Sequence, residues 1–323
     1  MRVFVAGATG AIGSRLLPHL VSSGHMVVGT TRRPEKISAI EKAGARAVIM
    51  DGLDARSVAQ AVIDAAPDVV VHEMTDLTGA SDLRHFDRTF ATSNRLRIEG
   101  TDHLLAAARR SGVKRFVAQS FCGWPYARSG PPVKLETDPL DPEPPHEFRR
   151  TLDAIRHLER VVTDASAVEG MVLRYGVFYG PETGMCDPAA IGQIRRRLFP
   201  LIGDGEGQWS FVHVEDAAEA TAIAVERGSP GIYNIVDDDP APVREWLPAL
   251  AAMSGAKPPR RVPAWLGRIL AGEHLVAMMT DIRAGSNAKA KAALGWSPAH
   301  SSWRQGFAEI LAQATPTGEE RAA

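Results

Sequence analysis

Three glycines near the N-terminus have the spacing of a phosphate-binding turn. Gly7, Gly10 and Gly13 directly follow a short apolar run at residues 3–6 and precede leucines at helical spacing. Glycines at such positions allow a tight turn, a close approach of backbone N–H groups to a pyrophosphate and close packing of helix on strand. The pattern therefore predicts a dinucleotide-binding turn. Its expected contact residues are Gly7, Thr9, Gly10, Ala11, Ile12 and Gly13.

The residues that end the second predicted strand indicate which dinucleotide binds. An NAD site usually has an acidic residue there, which binds the ribose hydroxyl groups. This chain has Thr31 instead, followed by Arg32 and Arg33. No carboxylate at that position repels a 2′-phosphate, and the guanidinium groups can make paired contacts with one. The sequence favours NADP, with Thr31 and Arg32 as contacts; the alternative is that both arginines are ordinary solvated loop residues.

A second group of candidate cofactor contacts ends the third predicted strand. Asp51, Gly52 and Leu53 follow an apolar run, at a position where a carboxylate can accept a hydrogen bond from the adenine amino group. Asp54, the next residue, has a second interpretation, because aspartate is also a preferred capping residue at the start of a helix. We predict cofactor contacts from Asp51, Gly52 and Leu53 and leave both roles open for Asp54.

Short β-branched runs alternate with helical patterns over the first 240 residues, as in βαβ units. Strands are predicted at residues 2–6, 26–30, 47–50, 69–72, 115–119, 171–174 and 231–236, and helices begin near Ile12, Pro34, Ala55, Arg84, Glu147 and Glu215. We predict an α/β fold with a doubly wound parallel sheet. The Rossmann lobe comprises residues 1–176 and 210–237, a smaller C-terminal substrate lobe comprises residues 177–209 and 238–313, and residues 314–323 form a disordered tail.

Composition and charge exclude several classes of protein. The chain has 323 residues, of which 45% are hydrophobic and 23% charged, as in an average globular protein. A net charge of −1 gives no indication of nucleic-acid or anionic-membrane binding, and no apolar stretch is long enough to span a bilayer. Cys122 and Cys186 are too few for a disulfide framework or a thiolate metal site. We predict a cytoplasmic protein without metal, nucleic-acid partner or membrane association.

Six motifs beyond the glycine turn resemble the extended short-chain dehydrogenase/reductase family, of the NAD(P)-dependent epimerase/dehydratase type. They are VH at residues 71–72, GTDHLL at 100–105, RYGVFYGP at 174–181, FVHVED at 211–216, YNI at 233–235 and ALGWSP at 293–298. The resemblance covers nearly the whole chain. It implies nicotinamide-dependent chemistry on a small-molecule substrate, and a homodimer formed by the helices around residues 100–110 and 152–162.

The resemblance fails at the catalytic dyad of the family. Members usually carry a tyrosine with a lysine four residues later, and the lysine lowers the pKa of the phenol so that it can exchange a proton with the substrate. None of the four tyrosines of this chain has a lysine at that spacing. Aligning Glu159 with the acidic residue that usually trails the motif places Thr151 and Ile155 at the two dyad positions. The chain is therefore an atypical member.

Two residues near the end of the fifth predicted strand are the candidates for catalysis. Ser120 lies at the edge of the sheet where ligands bind, and a hydroxyl there can polarise a substrate oxygen. Tyr126 follows on a loop that is predicted to project over the nicotinamide, and we predict that it donates the proton in place of the dyad. The alternatives are a serine that caps the strand and a tyrosine that only packs. Tyr179 and Lys134 are weaker candidates for the donor.

Aromatic residues indicate the kind of substrate. In nucleotide-sugar members of the family an arginine that clamps the diphosphate precedes the FVHVED motif, and this chain has Trp209 there. Together with Phe121, Trp124, Tyr126 and Phe178, Trp209 predicts an apolar pocket; the alternative is that Trp209 merely seals the two lobes.

The sequence predicts an NADP-dependent oxidoreductase acting on a carbonyl or hydroxyl group of a small, largely apolar metabolite. An epimerase or dehydratase that uses the nicotinamide transiently and a non-catalytic dinucleotide-sensing regulator remain alternatives.

Overall fold

The alternating apolar runs fold into short strands, most of which are connected by helices. The computed structural model describes residues 1–76, 85–185 and 187–313. The strands are β1 (Arg2–Ala6), β2 (Met26–Thr31), β3 (Arg46–Ile49), β4 (Val69–His72), β5 (Arg115–Phe121), β6 (Val133–Lys134), β7 (Glu169–Tyr175), β8 (Val177–Tyr179), β9 (Leu201–Ile202), β10 (Gln208–Trp209), β11 (Phe211–His213), β12 (Gly231–Ile235), β13 (Ala241–Pro242), β14 (Arg261–Val262) and β15 (Ala284–Gly285).

Helices of 4 to 15 residues connect these strands. They are α1 (Ala11–Ser22), α2 (Ile37–Lys42), α3 (Ala55–Ala65), α4 (Phe86–Thr89), α5 (Ala91–Arg95), α6 (Thr101–Arg110), α7 (Arg149–Thr163), α8 (Pro188–Arg195), α9 (Val214–Glu226), α10 (Val243–Met253), α11 (Ala264–Ala271), α12 (Glu273–Thr280), α13 (Ala288–Leu294) and α14 (Trp303–Gln313). A π-helical turn, Leu96–Gly100, joins α5 to α6, and 3₁₀ turns at Pro34–Lys36 and His146–Phe148 precede α2 and α7.

Seven of the strands form one parallel sheet in the order β12-β7-β5-β4-β1-β2-β3. The chain builds the sheet outward from β1 through β2 and β3, then returns to the other side of β1 and continues through β4, β5, β7 and β12. This reversal confirms the predicted doubly wound Rossmann arrangement. In open parallel sheets, ligands bind outside the carboxyl ends of the strands next to such a reversal, which here lies between β1 and β4.

Both faces of the sheet are covered, which explains the uninterrupted apolar runs of its strands. Side chains alternate between the faces along β1, so that Val3 and Val5 pack into one core with Leu16 of α1. Phe4 packs into the opposite core, together with Leu104 of α6. The sheet is thus held rigidly between two helical layers, and its carboxyl edge is a fixed platform for the residues that end each strand.

A third apolar cluster lies apart from the sheet and centres on Trp246, Phe211 and Trp303. Most of its members come from the two segments predicted to form the substrate lobe. The boundaries of that lobe stay a prediction.

Several element boundaries differ from those predicted. The fifth strand continues to Phe121, two residues further than the apolar run suggested. The helix predicted near Glu147 begins at Arg149, because the preceding residues form a 3₁₀ turn. The helix start predicted near Arg84, the residue Cys186 and the tail 314–323 lie outside the described residues. Within the described ranges, no helix is both long and apolar enough to cross a membrane.

The homodimer predicted around α6 and α7 remains a prediction, and the structure shows which faces of these two helices are exposed. The apolar faces of both helices are buried inward, for example at Leu105 and Leu158. Their outward faces are polar, and His157 Nε2 lies 2.9 Å from an Asp102 carboxylate oxygen. We expect light scattering at micromolar concentration to give twice the mass of one chain. A single-chain mass would contradict the dimer.

Candidate active site

The glycine turn between β1 and α1 can only be built from glycine at two positions. Gly7 has a φ of +94°, in the region that side chains disfavour, and a Cβ there would lie 2.6 Å from the backbone carbon of Glu73. A Cβ on Gly13 would overlap the carbonyl oxygen of Gly7. The turn therefore brings the start of α1 against the ends of β1 and β4, at the reversal of the sheet.

The N-terminus of α1 suits a diphosphate. Its first residue follows Gly10, which has no side chain to cap the helix, and no acidic residue lies in the first turn. Unpaired N–H groups and the positive end of the helix dipole are therefore left for a ligand. The glycine cradle and this uncapped helix end fit the diphosphate of a nicotinamide dinucleotide. The contact roles of Thr9, Ala11 and Ile12 stay predictions.

Thr31 and Arg32 lie beside the glycine turn, at the end of β2. The Thr31 hydroxyl is 3.5 Å from that of Thr9 and accepts a hydrogen bond from the backbone N–H of Arg33. The side chain of Arg32 is 44% exposed, and one of its nitrogens lies 3.4 Å from a carboxylate oxygen of Asp76. Arg32 is thus accessible to a ligand, although a 2′-phosphate would compete with Asp76. Its role in cofactor binding stays a prediction.

The end of β3 resolves the two interpretations of Asp54. Its carboxylate accepts hydrogen bonds from the backbone N–H groups of Arg56 and Ser57, so it caps α3. Asp51 is exposed and accepts a hydrogen bond from the N–H of Leu53 at 3.0 Å. The contacts of Asp51, Gly52 and Leu53 with an adenine ring stay predictions.

Ser120 belongs to a buried polar network behind the carboxyl edge of the sheet. Its hydroxyl donates to Glu159 Oε1 at 2.7 Å. The same carboxylate accepts two hydrogen bonds from the Arg174 guanidinium, at 2.7 and 2.6 Å. Arg174 also donates to the hydroxyl oxygen of Tyr126 at 3.0 Å. The structure therefore brings Ser120 and Tyr126 together, but through an ion pair that links β5, α7 and β7.

Tyr126 lies in the protein interior, whereas the sequence suggested a loop over the nicotinamide. Its exposure is 0%, and its hydroxyl donates to Asn234 Oδ1 at 2.8 Å. The loop turns inward after β5, because the Tyr126 N–H bonds back to the carbonyl of Gly123. Burial raises the pKa of the phenol above its ordinary value. A phenol in these surroundings is a poor acid, and its proposed role as proton donor stays untested.

Replacing Tyr126 with phenylalanine separates the two roles. We expect kcat to change less than about tenfold, and the free energy of unfolding to fall by about 1–3 kcal/mol because Asn234 and Arg174 each lose a buried partner. Loss of a positioned general acid would instead lower kcat by about 10² to 10⁴, and that result would establish Tyr126 as the donor. Tyr233→Phe, which removes a hydroxyl bonded to the Ser229 carbonyl, is the matched control.

The two dyad positions inferred from Glu159 carry no free acid. The Thr151 hydroxyl donates to Asp87 Oδ1 at 2.7 Å and accepts from Asn94 Nδ2 at 2.9 Å. Ile155 is buried among aromatic side chains. The weaker candidates for the donor are also engaged, since Tyr179 bonds to the carbonyl of His300 and Lys134 to that of Ser129.

The sequence and the fold of this chain are similar to those of known proteins. The model of the NAD dependent epimerase/dehydratase family matches residues 3–236. The chain belongs to this family. As a family member with reductase relatives, it is an NAD(P)-dependent oxidoreductase of the extended short-chain dehydrogenase/reductase type.

Relatives of this family member include enzymes of different chemistry. It is 42% identical over 309 residues to the 3-diazoavenalumate denitrifying reductase of a Streptomyces species, covering 95% of this chain and 99% of the relative. It is 29% identical over 260 residues to the 4-hydroxy-2-methyl-3-oxo-4-farnesyl-3,4-dihydroquinoline-1-oxide ketoreductase of Stigmatella aurantiaca, covering 80% and 74%. UDP-glucose 4-epimerase of Thermotoga maritima shares the fold, with a TM-score of 0.76, 23% identity and coverage of 97% and 98%.

An aromatic cluster lies beside the end of β5 in this epimerase/dehydratase family member. Phe121 and Trp124, both half-buried, follow one another at the end of β5 with ring centroids 5.0 Å apart. Phe86 of α4 packs edge-on against Trp124, and His274 of α12 stacks on Phe148 at 4.7 Å. Sequence reasoning missed the last three residues, because they come from distant segments and share no local pattern.

The other predicted pocket residues lie elsewhere. Trp209 packs on Trp246 in the third apolar cluster, and its indole N–H donates to the carbonyl of Met278. Phe178 packs on Tyr175. Of the two interpretations of Trp209, packing between elements is the one found. Of the aromatic residues predicted to line the pocket, Phe121 and Trp124 lie next to each other at the end of β5, and their role in binding a substrate stays a prediction.

The described residues contain no group of three or more His, Cys, Asp or Glu side chains that could hold a metal ion. Cys122 is buried, and burial raises the pKa of its thiol to about 12, which makes it unreactive.

Proposed function

We propose that this protein is an NADPH-dependent reductase that removes a diazo group from an aromatic substrate and releases dinitrogen. The observation that carries the proposal is the engagement of the hydroxyl groups at the candidate site. Ser120 donates to Glu159, Tyr126 to Asn234 and Thr151 to Asp87. A reaction that takes no proton from the protein suits this arrangement best.

The proton balance distinguishes two kinds of reduction. Hydride addition to a carbonyl leaves an alkoxide, which requires a positioned donor. An arenediazonium cation already carries a positive charge, and one hydride together with that cation gives the arene and dinitrogen. The carbon–nitrogen bond breaks, a carbon–hydrogen bond forms, and the charges cancel. The loss of the tyrosine and lysine of the dyad is therefore compatible with this reaction.

The relatives and the aromatic cluster support the same substrate class. The relative that is 42% identical over nearly its full length is named as a denitrifying reductase of a diazo compound. Phe121 and Trp124 offer half-buried aromatic surface at the carboxyl edge of the sheet, which suits a planar apolar ring.

The cofactor is assigned to the glycine turn. When bound, a reduced nicotinamide supplies the hydride. The N–H groups at the start of α1 would hold the diphosphate, and Thr31 and Arg32 the adenosine ribose with its 2′-phosphate. Asp51, Gly52 and Leu53 would bind the adenine. Ser120 of β5 donates to Glu159 of α7, and this bond ties the end of β5 to that helix. We therefore assign Ser120 a positioning role.

The proposal is tested with para-hydroxybenzenediazonium that carries a heavy-nitrogen label, and with NADPH deuterated at the transferred position. We expect one labelled dinitrogen and one deuterated arene for each NADPH oxidised, as measured by mass spectrometry. Gly13→Val, which blocks the glycine turn, is the control for spontaneous reduction. Oxidation of NADPH with retention of both nitrogens, or a rate equal to that of the control, would contradict the proposal.

A carbonyl reductase is the second candidate, favoured by the ketoreductase relative. It predicts turnover of apolar ketones and a strong dependence on Tyr126. Isomerisation without net cofactor oxidation would indicate an epimerase, and tight cofactor binding without hydride transfer would indicate a regulator.

We expect the protein to prefer NADPH to NADH by at least about tenfold. Thr31 offers no carboxylate to bind the ribose hydroxyls, and a charge-assisted contact from Arg32 to the 2′-phosphate contributes about 1.5–3 kcal/mol. Titration calorimetry measures the two dissociation constants. Arg32→Ala should abolish the preference, whereas Arg46→Ala, which removes an exposed arginine at the opposite end of β3, should keep it. Equal affinities in the unmodified protein would disprove the assignment.

A further inference from the structure

Arg97 is a buried cation at the carboxyl edge of the sheet. It lies in the π-helical turn Leu96–Gly100 and is only 4% exposed. Its guanidinium carbon is 4.9 Å from the ring centroid of Phe121, the last residue of β5. Burial and, to a smaller extent, the charge of Arg97 lower the pKa of His72, the last residue of β4, to about 4. Arg97 is thus close to the ends of two neighbouring strands, at the ligand-binding edge of the sheet.

Among the residues that the structure describes, the guanidinium of Arg97 has no counter-ion. Within that part of the chain it makes one hydrogen bond, from Nη1 to Asn94 Oδ1 at 2.8 Å, although a guanidinium has five N–H donors. No carboxylate among residues 1–76, 85–185 and 187–313 pairs with it, whereas the equally buried Arg174 is paired with Glu159. Burial lowers the pKa of Arg97 to about 10. A buried charge without a partner is unfavourable, so a ligand that supplies the negative charge would stabilise Arg97.

A chain of hydrogen bonds holds this cation in place. The Asn94 amide that accepts from Arg97 donates in turn to the Thr151 hydroxyl, which donates to Asp87. The chain fixes the Asn94 side chain, so that its oxygen faces the guanidinium. It also connects Arg97 to the position of the absent catalytic tyrosine. π-Helical turns occur frequently at functional sites, where they redirect a side chain.

We propose that Arg97 binds an anionic oxygen on the aromatic ring of the substrate, a phenolate in conjugation with the diazo group, while the ring packs against Phe121 and Trp124. The substrate class is then a hydroxyarenediazonium. This inference rests on the proposed function and gives it a specificity-determining residue.

The chemistry of such compounds explains why a cation is useful there. A hydroxyarenediazonium that has lost its phenolic proton shifts electron density from the oxygen towards the diazo group, which becomes a weaker hydride acceptor. Charge-assisted hydrogen bonds from a guanidinium hold the negative charge on the oxygen. The diazo group therefore keeps its cationic character, and Arg97 both binds the substrate and increases its reactivity.

The proposal is tested with para-nitrophenol, whose phenolate has a distinct absorption band. The protein is first saturated with NADP⁺, and the ionisation of bound para-nitrophenol is followed by absorbance against pH. We expect the pKa of the bound phenol to fall by about one unit or more, which corresponds to at least a tenfold shift in the ionisation equilibrium. Arg97→Gln should abolish this shift, and Arg97→Lys should restore part of it.

Arg95→Gln is the matched control, because Arg95 is exposed, lies two residues away and is paired with Glu99. It should behave like the unmodified protein. The inference is overturned if para-nitrophenol does not bind, if it binds without a shift, or if Arg97→Gln retains the shift. It is also overturned if Arg97→Gln weakens NADPH binding tenfold and leaves the phenol unaffected, since the guanidinium would then serve the cofactor.

The readouts separate this inference from the proposed function. The absorbance titration needs no turnover. A shifted phenol pKa without dinitrogen release would therefore disprove the diazo reductase but support the anion site at Arg97. If Arg97→Gln releases dinitrogen at an unchanged rate, the role of Arg97 is disproved and the proposed reductase function stands.

Discussion

Glu159→Gln is expected to lower the free energy of unfolding by about 3–5 kcal/mol, the usual effect of breaking a buried ion pair. Glu159 is 5% exposed and Arg174 3%, and two short hydrogen bonds join them. The amide keeps the volume of the side chain but removes its charge. The guanidinium of Arg174 is then buried without a counter-ion, and solvent cannot reach it to compensate.

Urea denaturation followed by circular dichroism measures this loss. The matched control is Glu99→Gln, which breaks a largely exposed pair with Arg95 of similar geometry. Exposed pairs contribute about 0–1 kcal/mol, so the control should change stability far less. Equal losses in the two variants would show that the buried pair has no special importance for the fold.

Glu73→Gln is expected to make the protein progressively more stable than the unmodified form as the pH rises from about 4.5 to about 8. Burial raises the pKa of Glu73 from 4.5 to about 8, and its Oε2 has no hydrogen-bond partner among the described residues. Between these values the folded protein keeps the proton and the unfolded chain loses it, so stability falls with rising pH. The slope is at most about 1.4 kcal/mol per pH unit.

The free energy of unfolding of both proteins is measured by urea denaturation at each pH. The difference between the two values isolates the effect of Glu73 from that of the other titrating groups. A glutamine still accepts the hydrogen bond that the Tyr175 hydroxyl donates to Glu73 Oε1. Glu219→Gln, on the exposed side of α9, is the control for replacing a glutamate with glutamine. A difference between Glu73→Gln and the unmodified protein that does not grow between pH 5 and 8 would refute the prediction.

The parts of the site that sequence predicts well are those set by local geometry. The glycine turn is an example, because a Cβ at Gly7 would come too close to the chain regardless of the rest of the fold. The first two strands, β1 and β2, were predicted to within one residue, since most of their residues are buried in the sheet and form short apolar runs.

The parts that sequence predicts poorly depend on contacts between distant segments. Nothing around Tyr126 indicates that its hydroxyl bonds to Asn234, 108 residues away. Arg97 gave no signal either, because a single arginine on a helix is normally solvated. Its burial follows from the way α5 and α7 come together, which brings Asn94 to Thr151.

The position of β12 has a consequence for biosynthesis. This strand completes the sheet by pairing with β7 along its full length, yet the chain makes 55 other residues between the two strands. A nascent chain that has formed β7 therefore presents an unpaired strand edge until Ile235 has been made, and such edges associate readily with other chains. Asn234 of β12 also accepts the Tyr126 hydrogen bond, so the polar network and the sheet close in the same late event. Translational pausing between these strands would prolong the aggregation-prone state, and a chaperone that shields β7 would shorten it.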